Sequence, residues 1–279
     1  MNTPPYLASA IVQALGDDKG SLWLEPSHGS GVFVEAISQL CVPKKRIVAV
    51  DLDPAGSPAD HLATTIRRVD FLKWAHKTRR RFDRIVGNPP FVSIKRLKIS
   101  LQGTAASVRD FDGNPIGTGA NTWYAFVLAS LRLLKKGGSI AFVLPSAAEF
   151  ANYSAGIRGA VHDTFSSLEL YRCTRPLFEN VQEGTIVAIA RGYGSGPCKV
   201  RRKRYTTRDG MIEALTQSGK SPGRECRIRP AKFSTAIVPL KSIATLRLGG
   251  VTGHASFFLM DEEKRESLKL PTSAFTPVV

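Results

Sequence analysis

The sequence predicts a doubly wound α/β sheet, on three observations. Short, uniformly apolar runs alternate with stretches of helical spacing, the pattern left when helices cover both faces of a sheet. A glycine-bearing turn, Pro26-Ser27-His28-Gly29-Ser30-Gly31, joins the first such run to a helix. Polar or turn-forming residues close four successive runs, at Glu25, Asp51, Asp70 and Asn88. In an open α/β sheet, ligands bind beyond the carboxyl ends of the strands, so these closing residues are candidates for chemistry.

Each element follows from its pattern. Leu7, Ile11, Val12 and Leu15 share one face of a leading helix after Thr3-Pro4-Pro5. Residues 21–25 read as a strand, and Val32, Phe33, Ile37 and Leu40 mark the next helix. Residues 46–51 form a second buried strand, followed by a short helix over 58–66 and strands at 66–70 and 82–88. Residues 93–119 show no steady period and hold five glycines or prolines, so they read as a long loop, a class usually functional or mobile. Tyr124, Val127, Leu128 and Leu131 define a helix, with Lys135-Lys136-Gly137 as its stop. A strand at 139–145, a helix over 152–164 and strands at 167–173 and 185–192 complete the series. After residue 193 the pattern decays: 218–223 is linker-like and 245–259 is broken by glycine.

The 279 residues, 43% of them apolar, suit one large domain or one domain plus an appendage. No apolar run approaches the ~20 residues that span a bilayer. The first residues lack a secretion signal, so a cytoplasmic location without membrane attachment is expected. Cys41, Cys173, Cys198 and Cys226 form no C-x-x-C pair, which argues against a metal site and against a disulfide framework. Charge is more informative. The net charge is +16, and residues 191–232 supply +9 of it with twelve basic and three acidic residues. Such a surface attracts polyanions, nucleic acid first among them, although a solvated basic face is the plainer alternative.

The strand ends suit a nucleoside. Gly29 and Gly31 let backbone approach a ligand at a helix start, or simply permit a tight turn. Asp51 follows Gly31 by 20 residues, where an acid can accept both ribose hydroxyls. Val34 stands where a dinucleotide fingerprint would have its last glycine, which argues against a pyrophosphate ligand. Asp70 is an acceptor for an exocyclic amine or a helix cap, and Phe71 an apolar platform for a ring. Asn88-Pro89-Pro90-Phe91 is a stiff corner, since each proline fixes φ and removes a donor. It is either a strand-ending turn or a seat for a planar amine: the Asn88 amide oxygen and the Pro89 carbonyl accept its two N–H groups while Phe91 stacks on its ring. Accepting both hydrogens favours a pyramidal nitrogen with its lone pair aimed at an electrophile.

These motifs, running from Asn2-Thr3-Pro4-Pro5 through 24–37, 48–54, 67–74, 82–91 and 131–146 to 177–190, resemble the gamma-type, TaqI-like N6-adenine DNA methyltransferases of restriction–modification systems. The resemblance covers about residues 2–192. It implies a Rossmann-like class I methyltransferase sheet, mostly parallel with an antiparallel last strand, and S-adenosylmethionine as cofactor. It also implies roles. Thr3 lies near the methionine carboxylate; Glu25, Gly29 and Gly31 form the cofactor loop; Asp51 holds the ribose; and Asp70 with Phe71 holds the adenine. Asn88, Pro89, Pro90 and Phe91 receive the target base after it flips out of duplex DNA, and Phe178 covers its other face. Phe91 stands where the family more often has Tyr. His28 is read as a loop residue without a catalytic role. Lys95, Arg96 and Lys98, with Arg201, Arg202, Lys203 and Arg204, are expected to contact DNA phosphates. The expected organisation is a catalytic domain over 1–192, a basic DNA-contacting segment over 193–235, and a linker or the start of a target-recognition domain over 236–279. A recognition domain or a separate specificity subunit is expected to supply sequence recognition. The competing readings are an RNA or protein-glutamine N-methyltransferase and a non-catalytic, methyltransferase-like nucleic-acid-binding subunit.

Overall fold

A computed structural model of the chain describes residues 3–16, 20–53, 57–149, 155–178 and 184–219. All lie in one compact unit, Met1–Glu225. A second unit, Cys226–Val279, lies outside the described residues, as does the glycine-broken closing stretch read from the sequence.

The elements are α1 (Pro5–Leu15), β1 (Trp23–Glu25), α2 (Val32–Gln39), β2 (Ile47–Val50), β3 (Thr64–Ile66), α3 (Phe71–Lys77), β4 (Phe82–Gly87), α4 (Ile99–Ala106), α5 (Thr122–Leu131), β5 (Leu134–Pro145), α6 (Ala155–Thr164), β6 (Ser167–Cys173), β7 (Thr185–Arg191), β8 (Lys199–Tyr205) and α7 (Arg208–Ser218). The eight strands form one sheet in the order β3-β2-β1-β4-β5-β7-β6-β8. Every neighbouring pair is parallel except those made by β7, which runs antiparallel to both β5 and β6. The strand order reverses between β1 and β4, which is where an open α/β sheet forms its ligand crevice.

Alternate residues of the central strands feed two cores. Leu24, Val48, Ile85 and Phe142 point to the face covered by α3, α4 and α5. Trp23, Ile47, Ala49, Val86 and Ala141 point to the face covered by α1, α2 and α7. That is why these strands read as uniformly apolar.

The structure differs from the sequence expectation at several points. Residues 93–119 are not all loop: a 3₁₀ turn at Ile94–Arg96 and α4 stand inside them, anchored by the buried Ile94 and Ala105. β3 is Thr64–Ile66 rather than 66–70, and the short helix before it is a 3₁₀ turn over Pro58–Leu62. Lys135-Lys136-Gly137 does not stop a helix: α5 ends at Leu131, and the three residues lie within β5. The strand read as the last, 185–192, is the antiparallel one, β7, but a further strand, β8, follows it and continues the sheet parallel to β6. The break expected after residue 192 therefore falls inside this unit, where β8 and α7 extend the sheet and the helical layer. α7 buries Met211 and Leu215 among the residues of α1.

Candidate active site

The carboxyl ends of β1, β2 and β4 open onto a cavity of about 650 Å³. Pro26, Ser27, Gly29, Asp51, Asp70, Phe71, Asn88, Pro89, Pro90 and Phe91 line it, so the structure brings most of the predicted catalytic and cofactor residues to one place.

Asp51 follows β2, and its carboxylate organises the floor: Oδ2 accepts from the Gly29 N–H at 2.8 Å and Oδ1 from the Asp53 N–H at 2.8 Å. Each oxygen keeps lone-pair capacity toward the cavity. Asp70 is the N-cap of α3, where Oδ1 accepts from the Leu72 N–H at 2.8 Å. Capping and ligand contact are compatible, since the second oxygen belongs to a residue that lines the cavity. The Phe71 ring is 3% exposed and lies 5.0 Å from that of Phe126, centroid to centroid, an aromatic wall beside Leu52, Leu72 and Leu101.

The Asn88 corner is tied from two sides. Ser27 Oγ donates to the Asn88 carbonyl at 3.1 Å, and Asn88 Nδ2 donates to Thr3 Oγ1 at 3.2 Å. With the amide so oriented, Asn88 Oδ1 is a buried acceptor without a partner among the described residues. Leaving such an atom unsatisfied costs about 1–3 kcal/mol, which a bound donor would recover. Thr3 is thus placed against Asn88, 4% exposed. Phe91 is partly buried and packs against both cores.

Four predicted residues do not line the cavity: Thr3, which is held against Asn88, and Glu25, Gly31 and Phe178. Glu25, 1% exposed, lies behind the glycine turn, and Gly31 is packed against Ser57, Ala59 and His28. Gly31 has φ +85°, and a Cβ there would meet Ala59 Cβ at 2.5 Å. Phe178, 4% exposed, packs in the core shared with α1 and does not reach the cavity.

The basic residues divide. Lys95, Arg96 and Lys98 are exposed beside Leu97, itself a cavity-lining residue. On β8, Arg202 and Arg204 are exposed, with Arg202 Nε 3.5 Å from Glu149. Lys203 instead turns inward: Nζ donates to Glu169 Oε1 at 2.8 Å and to the Tyr171 hydroxyl at 3.1 Å. Arg191 donates to Glu169 Oε2 at 2.7 Å. Burial pushes the Glu169 carboxyl up, but Lys203 and Arg191 outweigh it and hold its pKa below the ordinary value.

Reasoning from the sequence missed Ser27, Leu101, Ala105, Thr122 and Phe126 as cavity residues. Leu101 and Ala105 lie on α4, in the stretch read as loop. A period of four over Leu97, Leu101 and Ala105 was the signal available. Among the described residues no three His, Cys, Asp or Glu side chains converge as a metal site requires, and no helix is long and apolar enough to cross a membrane.

Comparison with known proteins agrees with this geometry. Residues 47–173 match the family of Eco57I restriction-modification methylases. The Type II methyltransferase M.TthHB8I of Thermus thermophilus is 30% identical over 149 residues, covering 52% of this chain and 34% of that protein. The chain therefore spans about a third of that relative's length. Among solved structures, a Vibrio vulnificus protein assigned as the modification subunit of a type I restriction enzyme superposes with a TM-score of 0.62 at 16% identity, covering 80% of this chain and 53% of the other. A Listeria monocytogenes protein assigned to the class I S-adenosylmethionine-dependent methyltransferases gives 0.55 at 15% identity, over 78% and 71%. These two share the fold. The matched segment runs from β2 to β6 through the Asn88 corner, so the similarity to the Eco57I family falls on the strands that build the cavity, in a chain that shares the fold of the class I methyltransferases.

Proposed function

We propose that the chain transfers a methyl group from S-adenosylmethionine to the N6 amine of an adenine flipped out of duplex DNA. The observation that carries the reading is the buried Oδ1 of Asn88, without a partner among the described residues, in the cavity that also holds Asp51 and Phe71. The residues fit the cofactor: Asp51 for the ribose, Phe71 and Phe126 for the adenine, and Asp70 for its exocyclic amine. When bound, it supplies a methyl carbon on a sulfonium. The chain's own residues prepare the acceptor. Asn88 Oδ1 accepts one hydrogen of the amine, and the Pro89 carbonyl, stiffened by two prolines, accepts the other. The nitrogen becomes pyramidal and its lone pair turns toward the electrophile. Phe91 stacks on the base, and Thr3 keeps the Asn88 amide from rotating away.

DNA enters the reading through charge as well as family. Lys95, Arg96 and Lys98 flank the cavity, and Arg202 and Arg204 stand exposed on β8 at the edge of the sheet, so both groups offer positive charge to phosphates. Recognition of a particular site is assigned to a recognition domain or a specificity partner.

The test is incubation of the chain with labelled cofactor and duplex DNA, RNA or protein, with and without a specificity partner, followed by nucleoside analysis. N6-methyladenine from DNA supports the proposal. Label in RNA or glutamine alone would reassign the substrate, and absence of transfer with every partner would make this a binding subunit. Asn88→Ala lowers transfer by about 10²–10³-fold while cofactor affinity stays near wild type. Parallel loss of both would remove Asn88 from the role given to it.

A further inference from the structure

Behind the cavity, the glycine turn is held by a buried chain of ionisable groups that the reaction above does not use. His28 is 2% exposed. Its Nδ1 lies 3.2 Å from Glu25 Oε2 and its Nε2 3.0 Å from Asp60 Oδ1. Asp60 Oδ2 accepts from the Ser57 N–H at 2.8 Å and pairs with Arg67. Ser57 Oγ in turn donates to the Ser30 carbonyl at 2.7 Å. The 3₁₀ turn over Pro58–Leu62 and its cap therefore grip the 28–31 turn at two points, with Gly31 pressed between Ala59, Ser57 and the His28 ring.

The proton count of this cluster is constrained by geometry. A neutral imidazole offers one N–H and one lone pair. Here both ring nitrogens face carboxylate oxygens, so both contacts are bonds only when the cluster holds one proton beyond a neutral imidazole and two carboxylates. That proton sits on His28 as imidazolium or on Glu25 as a carboxyl. Without it, one ring lone pair is set against a carboxylate, and one of the two ties is lost. The charged groups facing the cluster are Glu25, Asp60, Arg67 and, from the end of β2, Asp51.

We propose that Glu25, His28 and Asp60 form a proton-held latch, in which a shared proton locks the glycine turn in the shape that receives the cofactor. Loss of the proton loosens the turn and weakens cofactor binding. His28 is accordingly a positioning residue. Burial pushes Glu25 up to about 7. Burial opposes the imidazolium of His28, but the carboxylates of Glu25 and Asp60 outweigh it and raise its pKa. Both directions hold the proton on the cluster and let it go only as the pH rises, which for Glu25 means past about 7. Long-range attraction works the other way for a cationic sulfonium, because an extra negative charge would favour it. S-adenosylhomocysteine, which lacks the methyl group and the charged sulfur, isolates the effect of the latch.

The inference rests on reading the cavity as a cofactor site, but the latch itself can be followed without ligand. The experiment is calorimetric titration of the full chain with S-adenosylhomocysteine between pH 6 and pH 9. It is paired with hydrogen–deuterium exchange of residues 26–32, corrected for the intrinsic pH dependence of exchange. In the wild type, affinity falls about tenfold across the range and protection falls with it. In Asp60→Asn, the amide N–H donates to His28 Nε2 while Nδ1–H donates to Glu25, so a neutral ring satisfies both ties and both profiles become flat at the tight level. Glu25→Gln does the same from the other side, should Asp60→Asn disturb the cap at Ser57. His28→Ala is flat at the weak level. A wild-type turn whose protection is indifferent to pH, or amide variants that retain the wild-type profile, sinks the latch whatever binds. Protection that responds to pH in a chain that never binds S-adenosylhomocysteine keeps the latch and removes the cofactor reading.

Discussion

Gly31 shows how little freedom single positions in the site retain. Its φ of +85° is disfavoured for any side chain, and an added Cβ meets Ala59 and Ser57 at 2.5 and 2.6 Å. Gly31→Ala should destabilise the fold by about 1–3 kcal/mol and weaken S-adenosylhomocysteine binding more than Gly29→Ala, where the nearest atom is 3.9 Å away. Urea melts and calorimetry of the two variants check this order. Phe91→Tyr should leave transfer within a few-fold of wild type, since the hydroxyl adds nothing to the accepting pair; a rate assay on the same DNA substrate decides it. The corner itself was legible because Asn88, Pro89 and Pro90 are adjacent in sequence and their constraint is local. So was Asp51, whose distance from Gly31 is set by one helix and one strand. Thr3 against Asn88 was legible only through a family resemblance, and there with a different expected neighbour, because a contact across 85 residues leaves no local periodicity. His28 read as a turn residue for the same reason, as its second partner, Asp60, is 32 residues away.

Among the elements, the central strands were legible and the edge was not. β2 and β5 are buried on both faces and so announce themselves as apolar runs. β8 has the sequence KVRRKRY, which no hydropathy pattern marks as sheet. It holds because its inward positions are satisfied individually: Lys203 by Glu169 and Tyr171, and Tyr205 by stacking on Tyr171 with centroids 6.2 Å apart. Charge read as surface can thus be structural. α7 was invisible for a related reason, since only Met211 and Leu215 of its eleven residues are buried. Met211→Ala should cost about 2–5 kcal/mol, because the side chain is fully buried against α1. Chemical denaturation measures it, and a cost under about 0.5 kcal/mol would mean that α7 is not part of the cooperative unit. α4 escaped notice because its exposed face carries Ile99, at 88% exposure, which blurs the helical stripe.

For the molecule as a whole, net charge and buried ionisable groups set the response to conditions. If phosphate contacts dominate, the affinity for nonspecific duplex should fall steeply with salt; with Lys95, Arg96, Lys98, Arg202 and Arg204 each neutralising one phosphate, the log–log slope is about −4 to −5. Filter binding at several salt concentrations gives the slope, and a flat line excludes this surface. Stability should pass through a maximum at mildly acidic pH. Glu25 and His28 have raised pKa values, so their contributions are whole below the ordinary values of 4.5 and 6.5 and are lost as the pH rises through the folded ones, about 7 for Glu25. Asp60 and Glu169 are lowered, so theirs are lost as the pH falls through the acid range. Thermal melts from pH 4 to pH 9 should show both limbs, and Glu25→Gln should shift the alkaline one. The hydrogen bond from Asn88 to Thr3 has one more outcome. It places the aim of that corner in the custody of the residue that leads into α1, so under the proposed reaction Thr3→Val would silence transfer while leaving the sheet folded and the ligand cavity open, an off-switch that needs no unfolding.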